Sequence, residues 1–521
     1  MIERDDLTAK QNDYAVFLPA ISGFYATFIG KQRDPVNGPY VDPARMPAGI
    51  KDMEQMNWLN SQKALFPYRW SLYSGGHANL DLNKQDWSED MVRNREPGTF
   101  MLGDSGGFQI AKGLWEGDWK AGSGCAKAEK KRSSVLKWLD SVADYGMILD
   151  IPTWVIHDKK AATAAGFSTT NKKLALQQAV DATKYNNEYF ITNRKGVKEG
   201  GARFLNVLQG DNHTSAETWY QTMKHYCDPK AYPGRHFDGW AMGGQNMCDV
   251  HLVLNRLVAL RHDGLLQEGV HDWMHFLGTS KLEWALLLTD IQRAVRRYVN
   301  PAFTISFDCA SPFLATANGQ MYHHIDLPHN GKWCYRMGPS ADDKKYATDT
   351  RTFRDAVLQD GTFPHFDESP ISQHLQIKDV CIYKPGDLNK IGKEGKTSWD
   401  SFSYALMMAH NVWMHIESVQ RANREYDGGN YPAMMRNENG DHAFFRDIVD
   451  AIFATSDRQE SLDIINHYSR YWMDIVGTRG FKGKNTMNHH SQFNALFSYD
   501  DDETEPELDE SKLDQLMETT Q

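Results

Sequence analysis

The strongest constraint on this chain is a repeated unit. A short apolar run ends in a polar or glycine-rich corner, and an amphipathic helix usually follows. Six runs fit: Thr99–Gly103 before Asp104, Gly146–Leu149 before Asp150, Phe204–Leu208 before Gln209-Gly210, Gly239–Met242 before Gly243-Gly244, His275–Leu277 before Gly278-Thr279-Ser280, and Ala302–Phe307 before Asp308. Runs this short and this apolar suit parallel strands covered on both faces. Apolar spacings of three and four predict helices over Ser133–Ala143, Asn171–Tyr189, Ala216–Tyr226, Met247–Arg261 and Leu282–Val299. Strand–helix alternation of this kind predicts an α/β fold. Polar residues gathered at successive strand ends favour a (β/α)8 TIM barrel, whose site lies on that face. A doubly wound sheet shares the periodicity and is the alternative.

The rest of the chain divides around this core. Residues 1–98 read as irregular and β additions, with strands at Ala15–Ile29 and Phe66–Ser74. Residues 99–320 form the core of the barrel. Residues 321–400 are a polar insertion of weak periodicity. Residues 401–499 are helical, at Ser401–Tyr426 and His442–Val476, and complete the barrel. Residues 500–521 are an acidic tail expected to be disordered. No apolar run reaches the roughly 18 residues of a membrane span. The polar, acidic N-terminus carries no secretory signal. Six scattered cysteines argue for a reducing compartment, so a cytoplasmic location is expected, that of the host if the chain is virus-encoded.

Chemistry concentrates at two strand ends. Asp104-Ser105-Gly106-Gly107-Phe108-Gln109 sets a carboxylate before two glycines that admit a flat ligand close to the backbone. Phe307-Asp308-Cys309 sets a second carboxylate after a later strand. Two carboxylates on one barrel face can act as nucleophile and general acid/base at a glycosidic carbon. Either aspartate alone could equally cap a helix or loop. Fifteen tryptophans would also fit polysaccharide hydrolysis, but that reading leaves the Gln-Gly and Gly-Gly corners unexplained. Gly395-Lys396-Thr397 ends like a phosphate-binding loop, but Lys390 occupies the place of its first glycine.

Six motifs in order resemble the tRNA-guanine transglycosylase superfamily: DSGGFQ at 104–109, MILD ending in Asp150, VLQGD at 207–211, FDGWAMGG at 237–244, FLGTSK at 276–281 and FDCASP at 307–312. The resemblance covers roughly 99–320 and resumes near 401–426. It implies a (β/α)8 barrel that exchanges guanine in an intact polynucleotide. Asp308 would be the nucleophile on C1′ and Asp104 the general acid/base. Asp150 and Gln209, with Gly210, would read the base edge. Ser105, Gly106, Gly243 and Gly244 would present backbone or hydroxyl groups, and Phe108 would stack on the ring. No cofactor is required for catalysis.

Three departures narrow the substrate. The family's nucleophile loop carries two arginines on the anticodon backbone, whereas Leu314 and Ala317 stand here, and apolar side chains make no phosphate contact. Its structural zinc site, CxCxxC with a later histidine, leaves only Cys381 and His410, with Asp379 and Lys384 in the other cysteine places. Lysine is a poor zinc ligand, so Cys381, Asp379 and His410 make a weak metal set, and core roles for Cys381 and His410 are the expectation. His323, His324, His329 and Cys334 fit no zinc spacing, and the histidines are expected at the surface. No separate RNA-binding module is evident. Together these features resemble the branch that inserts 7-deazaguanines, such as 7-cyano-7-deazaguanine, into DNA. The expected partners are DNA, with tRNA as the alternative, plus the free 7-deazaguanine base and guanine. A non-catalytic nucleic-acid-binding paralogue is the alternative outside enzymes.

Candidate phosphate contacts form two clusters: Lys127, Lys130, Lys131 and Arg132; and Lys281, Arg293, Arg296 and Arg297. Solvated helix faces would give the same pattern. A net charge of −11 taken as a whole opposes a nucleic-acid partner, but residues 500–521 hold ten acids and one lysine. The tail thus carries −9 and residues 1–499 only −2, so a basic face remains compatible with the total.

Overall fold

The computed structural model describes residues 13–476 except 248, 340, 342–343, 360–365 and 382–400. The acidic tail, Lys384 and the Gly395–Thr397 motif lie outside the described residues.

Eight parallel strands make one sheet in the order β1-β8-β7-β6-β5-β4-β3-β2. They are β1 (Val16–Pro19), β2 (Trp70–Ser74), β3 (Phe100–Asp104), β4 (Tyr145–Met147), β5 (Arg203–Leu208), β6 (Gly239–Met242), β7 (Trp273–Phe276) and β8 (Thr304–Cys309). A parallel bridge between Ala20 and Leu72, with Ile21 N donating to Leu72 O at 2.9 Å, joins the two edges. The fold is the expected (β/α)8 barrel. The stretch before residue 99 therefore supplies two of the eight strands, rather than additions to them. Ala15–Ile29, expected as one strand, holds a strand and a helix. After Pro19 the chain turns, and Ser22 caps a helix, α1 (Gly23–Gly30), by accepting from Tyr25 N. A buried strand and a buried helix look alike when every residue is apolar, and here only the cap separates them.

The five predicted helices are present with shifted ends. After α2 (Gly107–Ala111) come α3 (Ala126–Val142), α4 (Lys172–Asn193), α5 (His213–Met223), α6 (Val250–His262) and α7 (Leu282–Tyr298). Asn171 and Asp249 cap α4 and α6 by accepting from Leu174 N and Leu252 N, which satisfies amides that have no partner within the helix. A short α8 (Ser311–Ala317) follows β8, and α9 (Ser401–Asp427) packs on it and on α7.

Between them lies an antiparallel hairpin, β9 (Gln320–Asp326) with β10 (Cys334–Pro339), where the sequence showed only weak periodicity. His442–Val476 is three helices, not one: α10 (Phe445–Ala454), α11 (Arg458–His467) and α12 (Ser469–Val476). Thr455 is extended and Asp457 starts a new cap on Glu460 N, so the local cap overrides a continuous apolar stripe.

The interior of the barrel explains which end is open. Inward residues at the starts of four strands form an aromatic floor. The Trp273 ring stacks on Phe100 at 4.6 Å between centroids and lies 5.4 Å from Tyr145 and 5.8 Å from Trp70. Such aromatic contacts stabilise beyond simple burial, and they close the N-terminal end. The C-terminal ends of the strands, with their aspartates and glycines, are left to line a cavity. Among the described residues no helix is long and apolar enough to cross a membrane, and Cys125, Cys227, Cys309, Cys334 and Cys381 are free thiols.

Candidate active site

A cavity of about 230 Å³ opens at the C-terminal ends of the strands. Asp104, Asp308, Asp150, Gln209, Gly243, Gly244 and Phe108 all line it, so the two carboxylates and the base-reading pair expected from sequence meet in one place. The scale suits a small flat ring rather than a long oligosaccharide.

Each polar group is held by a neighbouring strand. Asp104 ends β3 beside Ser74, its register partner at the end of β2. The Ser74 hydroxyl donates to Asp104 Oδ2 at 2.5 Å. Burial raises the proton affinity of the Asp104 carboxyl. Hydrogen bonds from Ser74 and the Gly106 amide oppose that shift, and the charge of Asp308 adds to it. A carboxyl held above its usual range is suited to carry a proton to a leaving group.

Asp308 ends β8 and is held differently. His275 Nε2 and the Gly278 amide both lie 3.0 Å from its Oδ1. These two contacts hold Oδ1 and fix the orientation of the side chain.

Asp150 and Gln209 form the opposite wall. Gln209 Nε2 donates to Asp150 Oδ2 at 2.7 Å. Burial pushes the Asp150 carboxyl up to about 7, against the pull of that hydrogen bond and with the Asp104 charge adding to it. Gln209 Oε1 is buried with no hydrogen-bond partner among the described residues. An unmet acceptor of this kind is costly, and a ligand N–H in the cavity would satisfy it. Two glycines permit the close approach. A Cβ on Gly107 would lie 2.5 Å from the Asp150 carbonyl oxygen, and one on Gly243 would lie 2.5 Å from the Gln209 amide nitrogen.

Phe108 meets Trp154 edge-on at 5.6 Å, and the Lys112 ammonium sits 4.4 Å over its ring.

Three expected base contacts have structural roles instead. Ser105 is fully buried, and its hydroxyl donates to Ile148 O at 3.0 Å, tying β3 to β4. Gly106 adopts a left-handed conformation (φ +84°), where a Cβ would meet Trp115, and a Cβ on Gly210 would lie 2.6 Å from Ala216. None of the three lines the cavity. Conversely, Ser74, His77, Trp154, His275, Gly278 and Leu314 escaped the sequence reading as site residues. Of these, His275 had a legible signal, since it is the one polar residue in the apolar run His275–Leu277.

The basic clusters separate sharply. Lys127, Lys130 and Lys131 line a groove of about 1250 Å³, joined by Lys137 and Lys195. Leu114 lines both this groove and the cavity. Arg132 does not belong with them. It is 1% exposed, donates from Nε to Asn186 at 2.6 Å and stacks 4.7 Å over Tyr185.

The second cluster is spent on internal contacts. Lys281 is buried at the start of α7. Arg293 makes a bidentate pair with Asp427, Arg297 pairs with Asp450, and Arg296 donates to the Phe303 carbonyl. A helical stripe of cations looked like a phosphate-binding face because its partner acids lie more than 130 residues away.

The residues at the implied zinc position do not fit that metal. His410 is buried with both ring nitrogens engaged, Nδ1 with Ser369 Oγ at 2.8 Å and Nε2 with Tyr322 O at 2.9 Å. Cys381 is buried with Ala341, Tyr346, Ala356 and Ile377, and Asp379 accepts from Gln376 N at 2.8 Å. The histidines near the hairpin differ from expectation in one case. His323 is buried, whereas His324 is partly exposed beside Asp326 and His329 is exposed beside Asn430. Among the described residues no group of three metal-ligating side chains converges.

Searched against protein-family models and against curated proteins, the chain matches none.

Proposed function

We propose that this protein is a guanine transglycosylase that exchanges guanine in DNA for a 7-deazaguanine base, such as 7-cyano-7-deazaguanine. One observation carries the reading. A buried carboxyl, Asp104, whose proton affinity burial raises, and a second carboxyl, Asp308, held at one oxygen by His275 and the Gly278 amide, line one small cavity whose opposite wall is the Asp150–Gln209 pair.

That arrangement suits double displacement at C1′. A lone pair of Asp308 forms a bond to C1′. The C1′–N9 bond breaks, its electron pair stays on N9, and the Asp104 carboxyl supplies the proton. The incoming base then gives its N9 proton to Asp104. Its N9 forms the new bond to C1′, and the ester bond to Asp308 breaks with its pair returning to the carboxylate. Two inversions give net retention. The target base must leave its stack to enter the cavity. The lysine-lined groove, which shares Leu114 with the cavity, suits the phosphates that flank an extruded base. No metal or redox cofactor is part of this scheme.

DNA is favoured over tRNA because Leu314 and Ala317, at the places of the family's arginines, are buried, and Leu314 lines the cavity wall. Labelled guanine exchange into duplex DNA and into tRNA tests the reading. Exchange into DNA, abolished by Asp308→Ala, is the expected result. Exchange into tRNA alone would replace the substrate, and undiminished exchange by the variant would remove Asp308 as nucleophile.

A further inference from the structure

We infer that His275 is a positioning residue that selects Oδ2 of Asp308 as the attacking oxygen. The inference rests on the transglycosylase reading and deepens it.

The strand register sets up the arrangement. β7 and β8 pair in parallel with Trp273 opposite Thr304 and His275 opposite Ser306. With a side-chain period of two, Trp273 and His275 on one strand and Ser306 and Asp308 on the next share the inner face. His275 is fully buried there. Ser306 Oγ lies 2.8 Å from Trp273 Nε1 and 2.8 Å from His275 Nδ1. His275 Nε2 lies 3.0 Å from Asp308 Oδ1.

The chemistry of these atoms orders the chain of bonds. An indole nitrogen only donates, so Ser306 Oγ accepts from Trp273. An ionised carboxylate only accepts, so His275 donates from Nε2. The His275 tautomer with its proton on Nε2 presents Nδ1 as an acceptor, and the Ser306 hydroxyl proton is free to fill it. Trp273 thus sets the hydroxyl, the hydroxyl sets the tautomer, and the tautomer aims a donor at Asp308. The indole is itself fixed by the aromatic floor.

The result is asymmetric. His275 and the Gly278 amide both hold Oδ1. Oδ2 has no hydrogen-bond partner among the described residues and belongs to a side chain that lines the cavity. When Oδ2 forms the ester to C1′, Oδ1 becomes the carbonyl oxygen. Donors on Oδ1 stabilise the carboxylate more than the ester, because the carboxylate oxygen carries more negative charge. They therefore assist the second displacement, in which the ester bond breaks and its pair returns to Oδ2. His275 keeps its proton throughout.

The test compares the wild type with His275→Ala, His275→Gln and Ser306→Ala. Measured quantities are kcat and KM for base exchange, the fraction of enzyme trapped on DNA in denaturing gels, and affinity for the free base. His275→Ala is expected to lower kcat about tenfold or more, to leave KM within about threefold, and to raise the trapped fraction. The Gln amide nitrogen can donate from nearly the position of Nε2, so His275→Gln should recover most of kcat. Ser306→Ala should lower kcat several-fold with His275 intact, which keeps the inference testable if His275→Ala does not fold. A kcat for His275→Ala within threefold of wild type would overturn the inference. So would a His275→Gln no better than Ala while both bind base normally, or an unchanged kcat in Ser306→Ala. If the wild type itself traps no DNA and exchanges no base, the transglycosylase reading falls and takes this inference with it. The other outcomes overturn the inference alone.

Discussion

Replacing Asp150 with Asn should stabilise the protein, and more so at alkaline than at acidic pH. The Asp150 carboxyl ionises near 3.8 when exposed and at about 7 in the fold. Burial is the main cause, and the nearby Asp104 charge adds to it. Below pH 3.8 both states are protonated, and the group has no effect. Between 3.8 and 7 the unfolded chain releases the proton while the folded chain keeps it. Folding then binds a proton, so stability falls as pH rises through this window and levels off above 7. From pH 5 to pH 8 only the two units up to pH 7 count, at 1.36 kcal/mol each, which makes about 3 kcal/mol. An Asn side chain still offers Gln209 Nε2 an acceptor and never ionises, so it removes this dependence.

Urea unfolding of wild type and Asp150→Asn at pH 5 and pH 8 gives four free energies. The gain of the variant should be about 3 kcal/mol larger at pH 8, and other titrating groups cancel in the double difference. A double difference under about 0.5 kcal/mol would mean that Asp150 ionises in the fold as it does in water, and the argument from burial would fail. The expected sign matters for function. A buried carboxyl that lowers stability near neutral pH is a feature of sites shaped for a ligand rather than for folding.

Two further predictions separate the basic residues. Arg132→Met should lower stability by about 2–3 kcal/mol, because it loses the Asn186 bond and the stacking on Tyr185. It should leave the salt dependence of DNA affinity unchanged, as filter binding over a range of salt would show. Lys130→Ala and Lys137→Ala, in the exposed groove, should do the reverse. Each should leave the urea midpoint within error and reduce the salt slope of DNA binding by about one, and an unchanged slope would take the groove out of the DNA path.

The apolar runs that end at Asp104, Asp150, Gln209, Gly243 and Asp308 determined a great deal on their own. A strand buried on both faces is largely apolar, and the polar or glycine-rich corner after it marks where the chain leaves the core. The barrel, its open face and most of the cavity lining followed from that rule. Local caps decided what periodicity could not: Ser22 turns an apolar run into α1, and Asp457 breaks a long amphipathic stretch.

Other features belong to the tertiary structure alone. Whether a cation is free depends on acids far away in sequence, so Arg293 and Arg297 pair with Asp427 and Asp450 while Lys130 and Lys137 line an open groove. Whether a histidine can bind metal depends on what already holds its ring, and Ser369 and the Tyr322 carbonyl hold His410. The different states of the carboxyls are likewise set by packing. Burial raises Asp104 and Asp150, and a register between β7 and β8 brings His275 to Asp308. The sequence placed carboxylates at strand ends; only the closed barrel set their distances, their neighbours and their access to water, which decide what a carboxylate does.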